Sequence, residues 1–197
     1  RERLGDYKLM EKMAPQFGFK IKEIPKHILD EIAISSTNIR EAVLHNDIEM
    51  ANRLLGYTFF FEGEVVHGNK LGRQLGYPTA NLKIHDLEKV IPGDGIYAVY
   101  ASIKKEAQNE AMVMDEINSF PIEDAQYKGM MSIGFRPTVD GKKRVIEVNI
   151  FDFNKDIYEK TMRVYVKKFL RAEVKFNTLE ELVKQIDQDK VESLSVL

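Results

Sequence analysis

Residues 144–153 read Arg-Val-Ile-Glu-Val-Asn-Ile-Phe-Asp-Phe. Successive side chains of an extended chain point to opposite faces. Val145, Glu147 and Asn149 therefore share one face, and Ile146, Val148 and Ile150 share the other. Two alternating sets of different character are the pattern of a strand with two different faces. Working outward, runs at 58–66, 96–103, 129–134 and 162–169 have strand character too. The turns between them carry Gly, Pro, Asp and Asn: PGDG at 92–95, VDGK at 139–142 and FNKD at 153–156. Strands with short punctuated turns and no intervening helices predict a mainly β domain, a small antiparallel barrel or sandwich.

The flanks are different. Residues 6–13 suit a helix stopped by Gly18, and Phe19–Ile24 (FKIKEI) suits a short strand ended by Pro25. Thr37 or Asn38 can cap a second helix, with Glu41 completing a capping box on Asn38. A third helix over 47–55 gathers Ile48, Ala51, Leu54 and Leu55, and Gly56 ends it. At the far end, Thr178 and Glu181 form a capping box for a helix with Leu179, Leu182, Val183, Ile186 and Val191 along one stripe. Residues 104–127 are charged and lack alternation, which predicts a surface insertion. The chain is expected to divide near Gly56, into an α/β piece at 1–55 and a β-rich domain at 56–197.

At 197 residues one domain, or one domain and a fragment, is expected; the absence of an initial Met suggests a piece of something longer. The 44% hydrophobic and 30% charged content is that of a folded globular chain. With 29 basic and 31 acidic residues, the net charge of −2 supplies no bulk attraction to nucleic acid or anionic membrane. There is no cysteine, which excludes disulfides, zinc–thiolate sites and thiol nucleophiles. No apolar run approaches the roughly 18 residues of a spanning helix. A cytoplasmic protein is expected.

The densest chemical signal is EGEVVHGNKLGRQLGYPTAN, residues 62–81. Gly63, Gly68, Gly72 and Gly76 let backbone N–H groups turn toward an anion, and Lys70 and Arg73 add positive charge. Thr79 and Asn81, two apart on extended chain, offer neutral oxygen donors of the kind Mg²⁺ takes alongside phosphates and water. The segment matches neither G-x-x-x-x-G-K-[ST] nor G-x-G-x-x-G. Taken alone, the glycines could be turn residues and Glu147 a solvated strand carboxylate.

GRQLGYPTAN, preceded by GEVVHGNKL, resembles the signature of riboflavin kinases, including the kinase half of bacterial bifunctional riboflavin kinase/FAD synthetases. The likeness continues through GMMSIGFRPTVDGKKRVIEVNIFDFNKDIY and FLRAEVKFNTLEELVKQIDQD, covering about 55–189 in order. It implies a six-stranded antiparallel Greek-key barrel with a C-terminal helix. The implied reaction is transfer of the γ-phosphate of Mg-ATP to the ribityl 5′-hydroxyl of riboflavin, giving FMN. It further implies Thr79 and Asn81 as Mg²⁺ ligands and Glu147 as the catalytic carboxylate. Gly68, Lys70, Gly72, Arg73, Gly76, Thr79, Ile150, Asp152 and Tyr158 would lie around ATP, and Arg171 and Phe176 along the flavin. Read from the residues alone, Arg171 suits a surface stem, Phe176 core, and Arg136 with Pro137 the shaping of a turn.

The likeness departs at Glu159, where the family carries Gly after the turn Tyr; a Glu at positive φ is strained, so the turn is expected to differ. Residues before Gly56, ISSTNIR above all, resemble the end of a nucleotidyltransferase domain, in which Ser35, Ser36, Thr37 and Arg40 would meet ATP phosphates. That domain's H-x-G-H-type motif is missing: His27, His45, His67 and His85 stand apart. FAD synthetase activity is therefore expected to be lost from this chain. Residual AMP transfer to FMN and a non-catalytic flavin-binding barrel are the alternatives.

Overall fold

The computed structural model describes residues 7–19, 28–29, 32–68, 71–86, 88–104, 127–138 and 141–197. Two compact units divide the chain, Arg1–Ile34 and Ser35–Leu197. In the first, helix α1 spans Tyr7–Phe17 and continues two residues past Pro15 before Gly18 turns at φ +68°. A two-residue pair joins β1 (Ile28–Leu29) to β2 (Ile32–Ala33). The strand expected over 19–24 lies, beyond Phe19, outside the described residues. So does nearly all of the expected insertion, at 105–126.

The second unit opens with helices α2 (Ser36–Leu44) and α3 (Ile48–Leu55). Ser35, not Thr37 or Asn38, caps α2: its backbone is extended and its Oγ accepts from the Asn38 amide at 3.2 Å. The first extended residue with a short hydroxyl takes the cap, which leaves Thr37 and Asn38 inside the first turn. Gly56 ends α3 at φ 76°, as the sequence predicts, and Asp47, at the start of the expected helix, is its cap.

Six strands follow: β3 (Phe60–Val66), β4 (Ala80–Lys83), β5 (Gly95–Ile103), β6 (Tyr127–Thr138), β7 (Gly141–Ile150) and β8 (Thr161–Arg171). They close a barrel in the order β3-β4-β7-β6-β5-β8. Strands β5, β6 and β7 are successive neighbours and β4 returns beside β7, a Greek key. Every pairing in the barrel is antiparallel. The interior is filled by Phe61, Val65, Tyr97, Val99, Met131, Ile133, Ile146, Val148, Met162, Val164 and Val166. Ile146, Val148 and Ile150 thus point inward, and Glu147 stands on the outer face of the wall rather than lining the barrel's inside.

The barrel's packing unit begins ahead of Gly56 because α3 is stitched to it. Ile48 joins the core cluster. Asn52 donates to the Val166 carbonyl at 3.1 Å and accepts from the Phe59 amide at 2.6 Å. At the other end, α5 (Leu179–Val196) starts from Thr178, whose hydroxyl accepts from the Glu181 amide at 3.2 Å. The Glu181 carboxylate reaches back to the Asn177 amide at 3.1 Å. The buried stripe of α5 corrects the sequence reading. Asp189 and Ser193 are buried, whereas Val191 is 69% exposed. At about 100° per residue, Val191 stands about 180° from Leu182, while residues 186, 189 and 193 return to the Leu182 face.

Candidate active site

Glu147 lies on β7 directly opposite Asn81 of β4 on one side and Ser132 of β6 on the other. The register alone therefore brings three polar side chains to one line on the outer wall. Glu147 Oε1 accepts from the Thr79 hydroxyl at 3.5 Å, and Oε2 lies 3.3 Å from Nη2 of Arg136. Arg136 also donates through Nη1 to Glu173 Oε1 at 2.7 Å and through Nη2 to Ser132 Oγ at 3.1 Å. Partial burial pulls the Arg136 pKa down, but hydrogen bonding and charge from Glu173 and Glu147 outweigh it, and the net shift is upward. Asn149, one step along the same face and 6% exposed, donates to the Pro78 carbonyl at 2.7 Å. It pins the backbone next to Thr79.

Two cavities meet at Thr79, which lines both. The first, about 500 Å³, lies over the outer wall. Its sides are largely apolar: Leu71, Leu75, Ile96, Met130, Val174, Phe176, Leu182 and Ile186. Its polar groups converge at the wall, where Thr79, Ser132, Arg136, Glu147 and Glu173 stand. The second, about 460 Å³, reaches the inward-facing Val65, Ala80, Val148 and Ile150, so it opens at an end of the barrel. Arg73, Asn154, Lys155, Asp156 and Tyr158 make its rim. The Tyr158 ring lies on His67, centroids 3.8 Å apart.

The glycine-rich segment arches between the cavities. Its single helical turn, α4 (Leu71–Gln74), is closed by the Tyr77 amide donating to the Gly72 carbonyl at 2.7 Å. A Cβ on Gly72 would collide with the Tyr77 carbonyl, and one on Gly68 would collide with the Asn81 carboxamide. Glycine is needed at both places for close approach. Across the first cavity, the Tyr77 hydroxyl donates to Asp187 of α5. That bond, then burial and the nearby carboxylate charge, push the Tyr77 phenol up to about 12.

The residues expected from sequence distribute unevenly. Arg73, Thr79, Ile150 and Tyr158 line the second cavity. Glu147, Arg171 and Phe176 line the first, and Gly72 joins them there. Gly76 sits in the arch at φ 83°, and Asp152 follows β7 at φ 54°; neither lines either of these two cavities. Lys70 lies outside the described residues. Arg171 is committed to α5: Nε and Nη2 grip both oxygens of Asp189 at 2.7 and 2.6 Å, and Nη1 donates to the Ala172 carbonyl. Ser35, Ser36 and Thr37 sit at the start of α2 and Arg40 at its middle, and none lines either cavity. Glu159 holds φ 65°, so the turn after Tyr158 keeps the left-handed geometry instead of changing it. Sequence reasoning missed Arg136, Ser132 and Glu173. Extending the run expected over 129–134 by two residues would have placed Arg136 on the face of Ser132, and so of Glu147.

A family model for riboflavin kinase, or flavokinase, matches residues 55–197. The chain belongs to the riboflavin kinase family. Relatives described as bifunctional riboflavin kinase/FMN adenylyltransferase include one from Haemophilus influenzae, 35% identical over 188 residues, covering 95% of this chain and 54% of the relative. Another, from Bacillus subtilis, is 38% identical over 164 residues, covering 82% of this chain and 46% of the relative. The chain thus spans about half the length of the curated relatives it matches. A crystal structure described as a macrolide-efflux protein from Streptococcus pneumoniae superposes with a TM-score of 0.76 at 36% identity, covering 93% of this chain and 54% of that one. That description belongs to the other protein; the likeness shows that the two share a fold over the matched stretch.

The donors near Thr79 fit Mg²⁺. Thr79 Oγ1 and the Asn81 carboxamide are hard, uncharged oxygen ligands two residues apart. Gly68 leaves open the space the Asn81 carboxamide occupies. Among the described residues there is no cluster of three His, Cys, Asp or Glu side chains to cage a metal fully.

Proposed function

We propose that this chain transfers the γ-phosphate of ATP to the ribityl 5′-hydroxyl of riboflavin, forming FMN and ADP. The observation that carries this reading is the position of Thr79, shared by an apolar cavity and a polar one, with the Glu147 carboxylate 3.5 Å from its hydroxyl. The apolar cavity suits a flat ring system such as the isoalloxazine, between Met130, Phe176 and Leu182. The second cavity, with Arg73 and Lys155 at its rim and Tyr158 on its wall, suits a nucleoside triphosphate. The phosphate chain then lies along the glycine arch, where N–H groups and Arg73 take its charge.

Thr79 and Asn81 would hold Mg²⁺, which supplies charge neutralisation on the phosphates. Glu147 orients the acceptor hydroxyl. As the hydroxyl oxygen bonds to the γ-phosphorus, the bond to the β–γ bridging oxygen breaks and ADP leaves; the hydroxyl proton passes to Glu147. Such a base contributes about 10²–10⁴ in rate, and alignment and electrostatics supply most of the remainder. Cytoplasmic action fits a cysteine-free chain that consumes ATP, and among the described residues no helix is long and apolar enough to cross a membrane. The test is a coupled assay of ADP release with riboflavin and Mg-ATP, with FMN identified by chromatography. ADP release independent of riboflavin, or flavin binding without turnover, would overturn the reading.

A further inference from the structure

Arg136 was the unexpected member of the site. It lies near the end of β6 and projects over the outer wall, into the same cavity as Glu147. Its guanidinium bridges two carboxylates from different elements: Glu147 on β7 at 3.3 Å and Glu173, in the segment after β8, at 2.7 Å. Ser132, level with Glu147 across the β6–β7 ladder, steadies it from below. The wall also leaves room for this bridge. A Cβ on Gly134 would collide with the Glu173 carboxylate. Phe135 contributes its carbonyl, 3.3 Å from Nη1.

We infer that Arg136 is a positioning residue, which holds the Glu147 carboxylate toward Thr79 and is itself held by Glu173. The inference rests on the riboflavin kinase reading of the site. Without the guanidinium, two carboxylates face one cavity with no cation between them, and like charges separate. Glu147 then swings from Thr79, and alignment of the acceptor hydroxyl is lost. Misplacement by about 1 Å can cost on the order of 10² in rate. A lysine at 136 restores the charge but presents a point ammonium, not a planar fork able to serve two carboxylates at once.

The test compares wild type, Arg136→Ala and Arg136→Lys in steady-state turnover of riboflavin with Mg-ATP. Riboflavin affinity is measured separately by quenching of flavin fluorescence, and folding by thermal melting. In Arg136→Ala, kcat is expected to fall about 10–100-fold while both KM values and the flavin Kd stay within about threefold. Arg136→Lys should recover part of the loss, and free guanidinium should raise kcat of the alanine variant but not of wild type. A purely structural role would lower the melting temperature, leave kcat per folded molecule unchanged and show no guanidinium rescue; that result would overturn the inference. An active wild type beside an alanine variant of equal kcat overturns it as well, leaving the kinase reading intact. A wild type that binds riboflavin but forms no FMN would overturn both.

Discussion

At the scale of single residues, two side chains decide what can be measured. Glu147 is the only carboxylate within hydrogen-bonding distance of Thr79 among the described interactions. Glu147→Gln keeps the size and the hydrogen-bonding shape but cannot accept the proton. It is expected to lower kcat at least about 100-fold with an unchanged melting curve; turnover at the wild-type rate would remove Glu147 from the reaction. Glu159 is the second. It is exposed and holds φ 65°, while its amide donates to the Val65 carbonyl at 2.9 Å. A glycine there keeps the amide bond and relieves the crowding of Cβ, which costs about 1–2 kcal/mol in this region, set against the larger chain entropy glycine loses on folding. Glu159→Gly should therefore stabilise the barrel by about 0.5–1 kcal/mol, read from the urea midpoint.

At the scale of elements, the arch and α5 form opposite sides of the apolar cavity, and the Tyr77–Asp187 hydrogen bond ties them together. Tyr77→Phe removes the tie without emptying space. The riboflavin KM is expected to rise about three- to tenfold, corresponding to about 0.7–1.4 kcal/mol for one hydrogen bond, with a smaller effect on kcat. The pH dependence follows from the phenol. Its pKa is raised in the fold from 10.0 to about 12, so the folded state favours the protonated form. The stabilisation is then fully present below pH 10 and is lost as pH rises through about 12. The difference in urea midpoint between wild type and Tyr77→Phe should be flat from about pH 6 to about pH 9 and shrink above 10. A difference that grows on raising the pH would contradict the assignment.

At the scale of the whole second unit, α3 is bonded to the barrel and adds to its core. Asn52 satisfies one amide and one carbonyl of the barrel's backbone, at Phe59 and Val166. Asn52→Ala strips a partner from both and is expected to cost about 2 kcal/mol, measured by chemical denaturation, with little change in the flavin Kd. A chain begun at Gly56 would lack this contact and the Ile48 side chain in the core.

Much of the barrel was legible in local patterns. The alternation over 144–153 separated Ile146, Val148 and Ile150 from Val145, Glu147 and Asn149, since a period of two follows from strand geometry alone; which set faces inward was decided by closure of the barrel. The cap at Thr178 and the stop at Gly56 were equally local, set within four residues of the backbone they serve. The short strand β4 escaped because four residues carry too little alternation to stand out from the loop before them. The buried stripe of α5 was misjudged because Asp189 is polar: only the approach of Arg171, from the end of β8, makes its burial affordable.

Residue identity and spacing were enough to pick out Thr79 and Asn81 as oxygen donors and the two alternating faces of 144–153, because those depend on neighbours along the chain; Glu147 was singled out through the resemblance to riboflavin kinases. Which strand lies beside which, and hence that Asn81, Glu147 and Ser132 stand in one row on the outside of the wall, was settled only by closure of the barrel. So was the Arg136 bridge between two carboxylates, since Glu147 and Glu173 are brought together by packing over long chain separations, which no local periodicity encodes.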